Sequence, residues 1–270
     1  MSGLRLDTYF ERIGYGGGAA PTLETLRALH RLQPAAIPYE TIDMLLGGIV
    51  DLTPAAVEAK LVGRRRGGAC HEQNLLFKRV LTAMGYEVEG LICRSRYGWP
   101  ADHIQARGHT ALRVHLGGAA WLVDVGFGGW MLTAPVCFAT REAQATSFEP
   151  VRLRPIGDEV RLEVLFGERW VPVYDVAPGA QHEVDWFDSL WRACTHPDSI
   201  YRRRLMVSLT TPTRRYALRD AIYTVREPDG SARTQPLAAA ELETCLSEVF
   251  GLEVESEWRP ALEAAARASS

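Results

Sequence analysis

The hydrophobic pattern changes its period near Gly85, and this change constrains the fold more than any other feature of the chain. Before Gly85, apolar residues recur at the three- and four-residue spacing of amphipathic helices. After it, apolar and polar residues alternate in short runs, as they do in half-buried strands. A chain of 270 residues is long enough to bury a large core without disulfides or metals. The two patterns therefore predict an α+β fold with a helical part and a β-rich part.

Four helices are predicted in the N-terminal part. The first two are expected to end at the glycine-rich stretch 14–18 and at Pro34, because glycine and proline both end helices. Thr53 and Pro54 suit the N-cap and the first helical position of a third helix. The fourth covers about residues 70–84, where apolar residues repeat at every fourth position and a glycine follows.

The rest of the chain is predicted to be mostly strand. Two strands, at about 110–116 and 120–125, are joined by Gly117-Gly118, a sequence typical of a tight hairpin turn. Short strands between glycine and proline residues indicate a small antiparallel sheet or barrel. The other predicted elements are strands at 87–94, 151–154, 160–165, 169–175, 204–209 and 221–225 and helices at 183–194 and 238–250. We place domain boundaries near residues 85 and 190.

The charge balance and the cysteines exclude several classes of protein. Lys and Arg number 30 against 33 Asp and Glu, a net charge of −3, so no broad basic surface for nucleic acid is expected. The sequence contains no run of about 18 apolar residues, so no membrane span is expected. The N-terminus lacks the apolar segment of a signal peptide, so none is predicted. Five scattered cysteines without a C-x-x-C pair predict neither a disulfide framework nor a zinc site. A reducing, cytoplasmic setting is the simplest interpretation.

One of the cysteines stands in a sequence typical of a nucleophile. Cys70 follows Gly67-Gly68, which allow a tight turn, and it begins the fourth predicted helix. The positive end of the helix dipole favours a thiolate there, and the free N–H groups of the first turn can bind an oxyanion. A purely structural arrangement, in which a glycine-rich turn precedes an amphipathic helix with a buried, unreactive cysteine, would show the same pattern. The segment by itself leaves both interpretations open.

The predicted hairpin brings a histidine and an aspartate together. His109 lies where the first strand begins and Asp124 near the end of the second, so a turn at Gly117-Gly118 places their side chains next to each other. Asp124 stands in an apolar run, where a buried carboxylate needs a partner. We predict that His109 is this partner and that Asp124 orients its imidazole toward the nucleophile.

Metal and nucleotide motifs are not found. Cys70 and His71 are adjacent, so they are expected to point in different directions on a helix, and no second ligand pair has zinc spacing. No glycine motif for phosphate or dinucleotide binding follows a strand. The run Gly126 to Gly129 is either a β-turn or a loop that lets a flat ligand approach the backbone. We predict that the protein holds no metal.

Taken together, these segments resemble the arylamine N-acetyltransferase family. The resemblance covers nearly the full chain, with the motifs in the same order and at the same spacing. The residues that carry it are Leu6 to Gly14 (L-x-x-Y-x-x-R-I-G), His30, Ile37-Pro38-Tyr39-Glu40, Arg66 to Asn74 (R-G-G-x-C-x-E-x-N), Arg107 to Leu112 (R-x-H-x-x-L), Val123 to Gly128 (V-D-V-G-F-G) and His196 to Tyr201 (H-P-D-S-I-Y).

The resemblance implies the following organisation and activity. A helical bundle over residues 1–85 carries the nucleophile, a central antiparallel β-barrel over 86–190 carries the histidine and the aspartate, and 191–270 form an interdomain segment and an α/β lid. The protein is then a cysteine transferase with a Cys-His-Asp triad. It would take an acetyl group from acetyl-CoA and pass it to an arylamine or arylhydrazine by a ping-pong mechanism, as in xenobiotic metabolism.

Individual residues are also assigned by the resemblance. Cys70, His109 and Asp124 form the implied triad, with Cys70 as the residue that is acylated. Two further groups of positions match the family's substrate contacts. Phe127 and Gly108 are expected to contact the acceptor, and Asp198, Tyr201 and Gly128 to contact CoA; Arg66 and Glu72 are interpreted as structural partners around the turn.

Several positions depart from the family pattern and leave the acceptor open. Tyr39 and Thr41 stand where the family has Phe and Asn, and Gln33 stands where it often has His. Ala69 and His71 replace the aromatic residues that usually flank the nucleophile. The alternative is an amide synthase of the same family, which releases or cyclises a polyketide held by an acyl carrier protein. A cysteine hydrolase or a catalytically silent binding protein on the same scaffold is a third possibility.

Overall fold

The structure, a computed structural model, describes residues 4–269 of the chain. Helices dominate the first part of this range and return near its end. Its α-helices are α1 (Leu6–Ile13), α2 (Leu23–Ala36), α3 (Ile42–Leu45), α4 (Pro54–Glu58), α5 (Cys70–Ala83), α6 (Glu183–Thr195), α7 (Ala239–Glu248) and α8 (Arg259–Ser269). Helix α4 continues directly into a π-helical turn, Ala59–Gly63. No helix in the described range is long and apolar enough to span a bilayer.

The strands form two antiparallel sheets. The larger sheet has the strand order β5-β4-β3-β2-β8-β7-β6, and its two edge strands approach each other, so that it curves into a nearly closed barrel. Its strands are β2 (Glu87–Ser95), β3 (His109–Leu116), β4 (Ala119–Val123), β5 (Val136–Cys137), β6 (Val151–Ile156), β7 (Glu159–Phe166) and β8 (Arg169–Val176). The predicted α+β fold with an antiparallel barrel is confirmed.

The smaller sheet pairs a short strand of the N-terminal part with four strands of the C-terminal part. Its order is β1-β9-β10-β11-β12, formed by β1 (Tyr39–Glu40), β9 (Met206–Thr210), β10 (Arg215–Arg219), β11 (Ile222–Arg226) and β12 (Ala232–Pro236). Tyr39 pairs with Ser208 and Glu40 with Val207. The segment that follows the first two helices therefore becomes the edge strand of a C-terminal sheet.

Helix α5 connects the helical part with the barrel. Phe77, Val80 and Leu81 of α5 are buried in a core that also contains Leu112 of β3 and Val123 of β4. Separate apolar cores fill the inside of the barrel and the space between the smaller sheet and helices α7 and α8. The helix that begins at Cys70 is thus packed directly on the hairpin that carries His109.

Some elements differ from the sequence prediction. Helix α2 continues through Pro34 to Ala36, although it was expected to end at the proline. Pro34 lies in the last turn, where its missing N–H removes only one backbone hydrogen bond. The buried Leu26 and Leu29 hold the helix in place. Strands β10 and β12 and helix α8 were not predicted, since their patterns are short and polar or rich in alanine. The division into three parts stays a prediction: residue 85 lies between α5 and β2, whereas residue 190 lies within α6.

Glycine is required where the chain after β4 crosses the start of α5. A Cβ atom on Gly126 would lie 2.7 Å from Cα of Cys70 and 2.8 Å from Nδ2 of Asn74. Neither group can move easily, since one is backbone and the other belongs to a buried amide. The absence of a side chain at Gly126 therefore sets the distance between α5 and the loop.

Replacing Gly126 with alanine should lower the free energy of unfolding by about 1–3 kcal/mol, because the added methyl group overpacks this contact. Urea unfolding measures the change. The control is Gly63→Ala, since a Cβ on the exposed Gly63 meets nothing within 4 Å. Equal stability of the two variants would contradict the close approach.

Candidate functional site

Cys70 is the first residue of α5 and is buried, with 5% of its surface exposed. The chain turns at Arg65, which has a positive φ of 53°, and Gly67-Gly68 then run in close contact with β1 without forming the predicted tight turn. Gly68 N–H donates to the Pro38 carbonyl and its own carbonyl accepts from Glu40 N–H, each at 3.2 Å. A Cβ on Gly67 would lie 2.2 Å from the Pro38 carbonyl oxygen. A Cβ on Gly68 would lie 2.9 Å from Oε2 of Glu72, so packing accounts for both glycines, while neither adopts a positive φ.

Arg66 anchors one side of this turn. Its Nη2 donates to Oε1 of Glu40 and Oδ1 of Asp43, each at 2.8 Å. The guanidinium also lies over the ring of Trp258, 4.6 Å from its centre. Arg66 is 5% exposed, so the contacts to two carboxylates stabilise a buried charge. The residue acts as a structural link between the turn, β1 and the C-terminal part.

Glu72 and Lys60 anchor the other side. Lys60 Nζ donates to Oε1 of Glu72 at 2.8 Å and contacts Oδ2 of Asp43 at 2.6 Å. The other carboxylate oxygen of Glu72 accepts the N–H of Ala69 at 2.8 Å, directly before Cys70. A buried carboxylate thus caps the first turn of α5 and holds the backbone from which the thiol projects.

The hairpin of β3 and β4 brings His109 and Asp124 together. Leu112 pairs with Val123 and Leu116 with Ala119, a register that places residue 109 opposite residue 126 when it is extended. Nε2 of His109 lies 2.7 Å from Oδ2 of Asp124. Strand β4 ends at Val123, so Asp124 lies just beyond the strand, where its carboxylate can turn toward the imidazole.

Asp124 is fully buried, and each of its oxygens has a donor. Oδ1 accepts from Nδ2 of Asn74 at 3.1 Å and from the N–H of Gly126 at 2.9 Å, while Oδ2 faces His109. Burial raises the pKa of this carboxyl, but the charge and hydrogen bond of His109, together with the hydrogen bonds from Asn74 and Gly126, lower it below its usual range. Asp124 is therefore ionised.

A second histidine lies behind the aspartate. His30 on α2 is fully buried, and its Nε2 accepts the backbone N–H of Asp124 at 3.2 Å. Burial lowers the pKa of His30 to about 4, and the nearby charge of Asp124 opposes this only in part. The imidazole is neutral at physiological pH and acts as a hydrogen-bond acceptor for the loop that carries Asp124.

The electrostatics of the site favour a thiolate. Burial raises the pKa of the Cys70 thiol, but the charge of His71 and the hydrogen bonds of His109 and His71 lower it well below its usual value. Burial alone would lower the pKa of His109, yet its contacts with Asp124 and Cys70 raise it to about 10. A lowered thiol pKa together with a raised imidazole pKa is the pattern expected of an ion pair between Cys70 and His109.

His71 departs from its predicted direction. Adjacent helical residues were expected to point apart, but Nδ1 of His71 lies 3.3 Å from Sγ of Cys70. The long imidazole reaches back toward the sulfur because Ser189 on α6 holds its other nitrogen at 2.8 Å. The sulfur therefore has the His71 imidazole at 3.3 Å in addition to its electrostatic interaction with His109.

Aromatic side chains enclose the site. The Phe127 ring stands edge-on to His109, with centres 4.7 Å apart, and the Tyr174 ring lies 5.0 Å from the same imidazole. Tyr39 and Tyr201 pack with Cys70 on the side of the smaller sheet. The thiol therefore faces an apolar, aromatic environment of the kind that binds a flat organic ligand.

Of the other residues predicted to contact substrates, Gly108, Gly128 and Tyr201 lie near Cys70 and Asp198 does not. The carbonyl of Gly108 lies 3.9 Å from Sγ of Cys70, and Gly128 adopts a positive φ of 68° next to Tyr39. Tyr201 lies in the same cluster as Cys70. Asp198 does not join them: its exposed carboxylate pairs with Arg203 on the surface.

Asn74, Tyr174 and Ser189 lie at the site but are not among the residues predicted for it. Asn74 belongs to the motif around Cys70, and its position one helical turn after the cysteine is the signal that places it near the thiol. Tyr174 and Ser189 lie on β8 and α6 and had no local signal, because only the packing of distant elements brings them to the site. Within residues 4–269, no group of three or more His, Cys, Asp or Glu side chains is arranged to hold a metal ion, and the absence of a metal stays a prediction.

Comparison with known proteins identifies relatives over nearly the full length. A family model described as N-acetyltransferase matches residues 22–259. The arylamine N-acetyltransferase of Mycobacterium tuberculosis is 36% identical over 255 residues, which cover 93% of this chain and 90% of that protein. The solved structure of Mycobacterium marinum arylamine N-acetyltransferase in complex with CoA is similar with a TM-score of 0.92 at 35% identity, covering 97% of this chain and 98% of that chain. Proansamycin X synthase of Amycolatopsis mediterranei is 36% identical over 139 residues, only 50% of this chain and 53% of that protein.

Replacing Asp124 with asparagine should raise the pKa of the Cys70 thiol, because the amide removes the negative charge that keeps His109 protonated. Alkylation of Cys70 by iodoacetamide at about pH 6 should slow about tenfold, since the thiolate fraction falls tenfold for each unit by which the pKa rises. Any acyl transfer through Cys70 should fall by about 10⁴-fold, as in a serine triad that loses its carboxylate. Asp158→Asn, in an exposed hairpin turn, is the control; an unchanged pH profile in Asp124→Asn would contradict the assigned ion pair.

The stability of the protein should fall in acid partly through His30. Its folded-state pKa of about 4 lies below the unfolded value of 6.5, so only the unfolded state binds this proton between these two pH values. The contribution of His30 is complete above pH 6.5 and decreases by about 3 kcal/mol as the pH falls to about 4. Urea unfolding across this range should show a weaker pH dependence in His30→Gln than in the wild type, whereas exposed His103→Gln should match the wild type. Parallel curves for His30→Gln and the wild type would contradict a neutral buried His30.

Proposed function

Because this chain belongs to the arylamine N-acetyltransferase family, we propose that it transfers an acetyl group from acetyl-CoA to the amino group of an arylamine or arylhydrazine. The transfer proceeds in two half-reactions through an acetyl group held on Cys70. The family membership predicted from the sequence motifs is confirmed by the family model and by relatives with at least 34% identity over most of the chain. The acceptor, the acyl-cysteine and the order of the steps are the proposed part.

The observation that carries this proposal is the buried ion pair of His109 and Asp124 beside the Cys70 thiol. A thioester is attacked by a thiolate, and a thiolate at neutral pH needs a neighbouring cation. His109 supplies that cation, and the Asp124 carboxylate at 2.7 Å keeps it protonated and oriented. These three residues are proposed to act as the catalytic triad.

In the first half-reaction, Sγ of Cys70 attacks the carbonyl carbon of acetyl-CoA. The carbon–sulfur bond to Cys70 forms, the bond to CoA breaks, and the CoA thiolate leaves after it takes a proton from the His109 imidazolium, which becomes neutral. The backbone N–H of Cys70 belongs to the first turn of α5 and has no acceptor within the helix. It is the proposed donor to the oxyanion that forms on the carbonyl oxygen.

In the second half-reaction, the amine nitrogen attacks the acetyl carbon. The new carbon–nitrogen bond forms, Sγ leaves with its electron pair, and His109 accepts the proton that the amine loses. The imidazolium is thereby restored beside the thiolate. The aromatic rings of Phe127 and Tyr174 next to His109 are suited to hold the flat ring of an arylamine with its amino group at the acetyl carbon.

CoA is proposed as the donor because the similar Mycobacterium marinum protein was solved in complex with CoA. Tyr201 and Gly128 lie on the side of Cys70 that faces the smaller sheet, and they remain the proposed CoA contacts. Asp198 is a weaker candidate since its carboxylate pairs with Arg203 at the surface. The five cysteines are all free thiols in the structure, as a reducing compartment maintains them, so a cytoplasmic location remains part of the proposal.

The test is to mix the protein with acetyl-CoA in the absence of an amine. Intact-mass spectrometry should show one added acetyl group for each chain, and peptide mapping should place it on Cys70. Addition of an arylamine should remove this group and yield the N-acetylated amine. Cys70→Ser should abolish the adduct, and Cys137→Ser, a partly buried cysteine outside the site, should leave it unchanged.

Three outcomes would contradict the proposal. Acetylation that persists in Cys70→Ser would exclude Cys70 as the nucleophile. Release of acetate as the main product without amine would indicate a hydrolase. Acylation by carrier-bound chains but not by acetyl-CoA would indicate the amide synthase, which the half-length match to proansamycin X synthase does not favour.

A further inference from the structure

The sulfur of Cys70 has a second imidazole partner that the proposed triad does not use. Nδ1 of His71 lies 3.3 Å from Sγ, and the His71 side chain is 1% exposed. Its other nitrogen, Nε2, lies 2.8 Å from Oγ of Ser189 on α6. The imidazole is therefore held at both ends, with one end directed at the reacting atom.

The hydrogen bond of Ser189 determines which nitrogen of His71 carries the proton. Oγ of Ser189 donates to the carbonyl of Trp186 at 2.9 Å. We assign the Nε2–H tautomer to His71 on this basis, because Oγ with its hydrogen directed at the Trp186 carbonyl accepts from Nε2–H. In the neutral imidazole this leaves a lone pair on Nδ1, facing Sγ. The contact is favourable when one proton lies between Nδ1 and Sγ, and unfavourable when both atoms are unprotonated.

We propose that His71 is a second catalytic histidine, which exchanges the proton of Cys70 Sγ through Nδ1, so that the nucleophile is activated by two imidazoles. The acetyl-transfer part of this role rests on the proposed function. The proton exchange itself concerns only the resting protein.

The proton of the Cys70 thiol is held by His71 while the sulfur reacts. The S–H bond of Cys70 breaks, its proton forms the Nδ1–H bond of His71, and the electron pair stays on Sγ, which is then the thiolate that the site favours. Sγ bonds to the acetyl carbon, and the departing CoA thiolate takes a proton from His109, as in the proposed function. When Sγ leaves in the second half-reaction, the proton on Nδ1 of His71 can return to it, so no external acid or base is consumed.

His109 is not available to accept the proton of the Cys70 thiol. Its contacts with Asp124 and Cys70 raise its pKa to about 10, so it already carries both ring protons at neutral pH. It can stabilise the thiolate as a cation, but it has no lone pair to accept the thiol proton in that state. Nδ1 of His71 is the nitrogen that can.

The other titratable groups around Cys70 do not compete for this proton. Burial raises the pKa of Tyr39 on β1 and of Tyr201 after α6, so both stay neutral over the range in which histidines titrate. Burial also raises the pKa of Cys93 on β2. A change in the reactivity of Cys70 between about pH 5 and 9 therefore reports on its two histidines.

The experiment measures the rate of Cys70 alkylation by iodoacetamide as a function of pH in the wild type and in His71→Phe. Phenylalanine fills the space of the imidazole without a nitrogen. The midpoint of the profile should rise by about one pH unit, so that the rate at about pH 6 falls about tenfold while the rate at high pH stays within about twofold. In His109→Asn the thiol should keep part of its reactivity at neutral pH, and the double variant His71→Phe/His109→Asn should lose it.

Two further variants make the result specific. Ser189→Ala keeps the imidazole and removes the acceptor of Nε2–H, so it should shift the profile in the same direction by a smaller amount; it carries the test if His71→Phe does not fold. His115→Gln alters a histidine near the turn of the β3–β4 hairpin and should match the wild type. A profile of His71→Phe or Ser189→Ala that superimposes on the wild type would overturn the proposal, even if the KM for the amine changes, because that result describes a residue that only shapes the pocket.

The alkylation assay separates this inference from the proposed function. Iodoacetamide needs neither acetyl-CoA nor an amine, so a shifted profile supports the role of His71 in proton exchange even if acetyl transfer is not found. Failure of acetyl-CoA to acylate Cys70 would overturn the proposed function and the second step of the proton balance. An unshifted profile in a protein that acetylates arylamines would overturn the role of His71 alone.

Discussion

The burial of Asp124 is the constraint on which the rest of the site depends. A carboxylate without solvent access is unstable unless donors surround it, and its three donors come from different places in the chain: the imidazole of His109, the amide of Asn74 and the backbone of Gly126. Asn74 lies one turn after Cys70 on α5. The need to satisfy one buried charge therefore fixes helix α5 against the β3–β4 hairpin, and with it the distance between the thiol and its imidazole.

A second group of buried charges holds the backbone around Cys70 in place. Glu72 caps the backbone at Ala69 and is itself held by Lys60, while Arg66 ties the preceding turn to Glu40 of β1. Such pairs contribute little net stability compared with an apolar core, but the loss of one partner leaves an uncompensated charge. The two networks meet at the first turn of α5, so the Cys70 sulfur is positioned from both sides while its own surroundings stay apolar and aromatic.

The hairpin could be predicted in detail and its surroundings could not. Gly117-Gly118 and the alternating pattern on either side specify the register, and the register places His109 beside the loop that carries Asp124. His71 shows the opposite case, since its position next to Cys70 suggested that it points away, and only Ser189 on α6 explains why it turns back. Pro34 is similar: proline ends an isolated helix, but buried leucines on the same helix retain the last turn.

By itself, the sequence determined the class of fold, the hairpin pairing and the three residues of the proposed triad, because each depends on local periodicity, turn chemistry or a motif of fixed spacing. Only the tertiary structure decided what faces these residues from other elements: His30 from α2, Tyr174 from β8, Ser189 from α6 and Tyr201 after it. Contacts of this kind depend on how helices and sheets pack, and packing leaves no period in the sequence. The contact of the His71 imidazole with the sulfur belongs to this group, although His71 stands directly beside Cys70 in the chain.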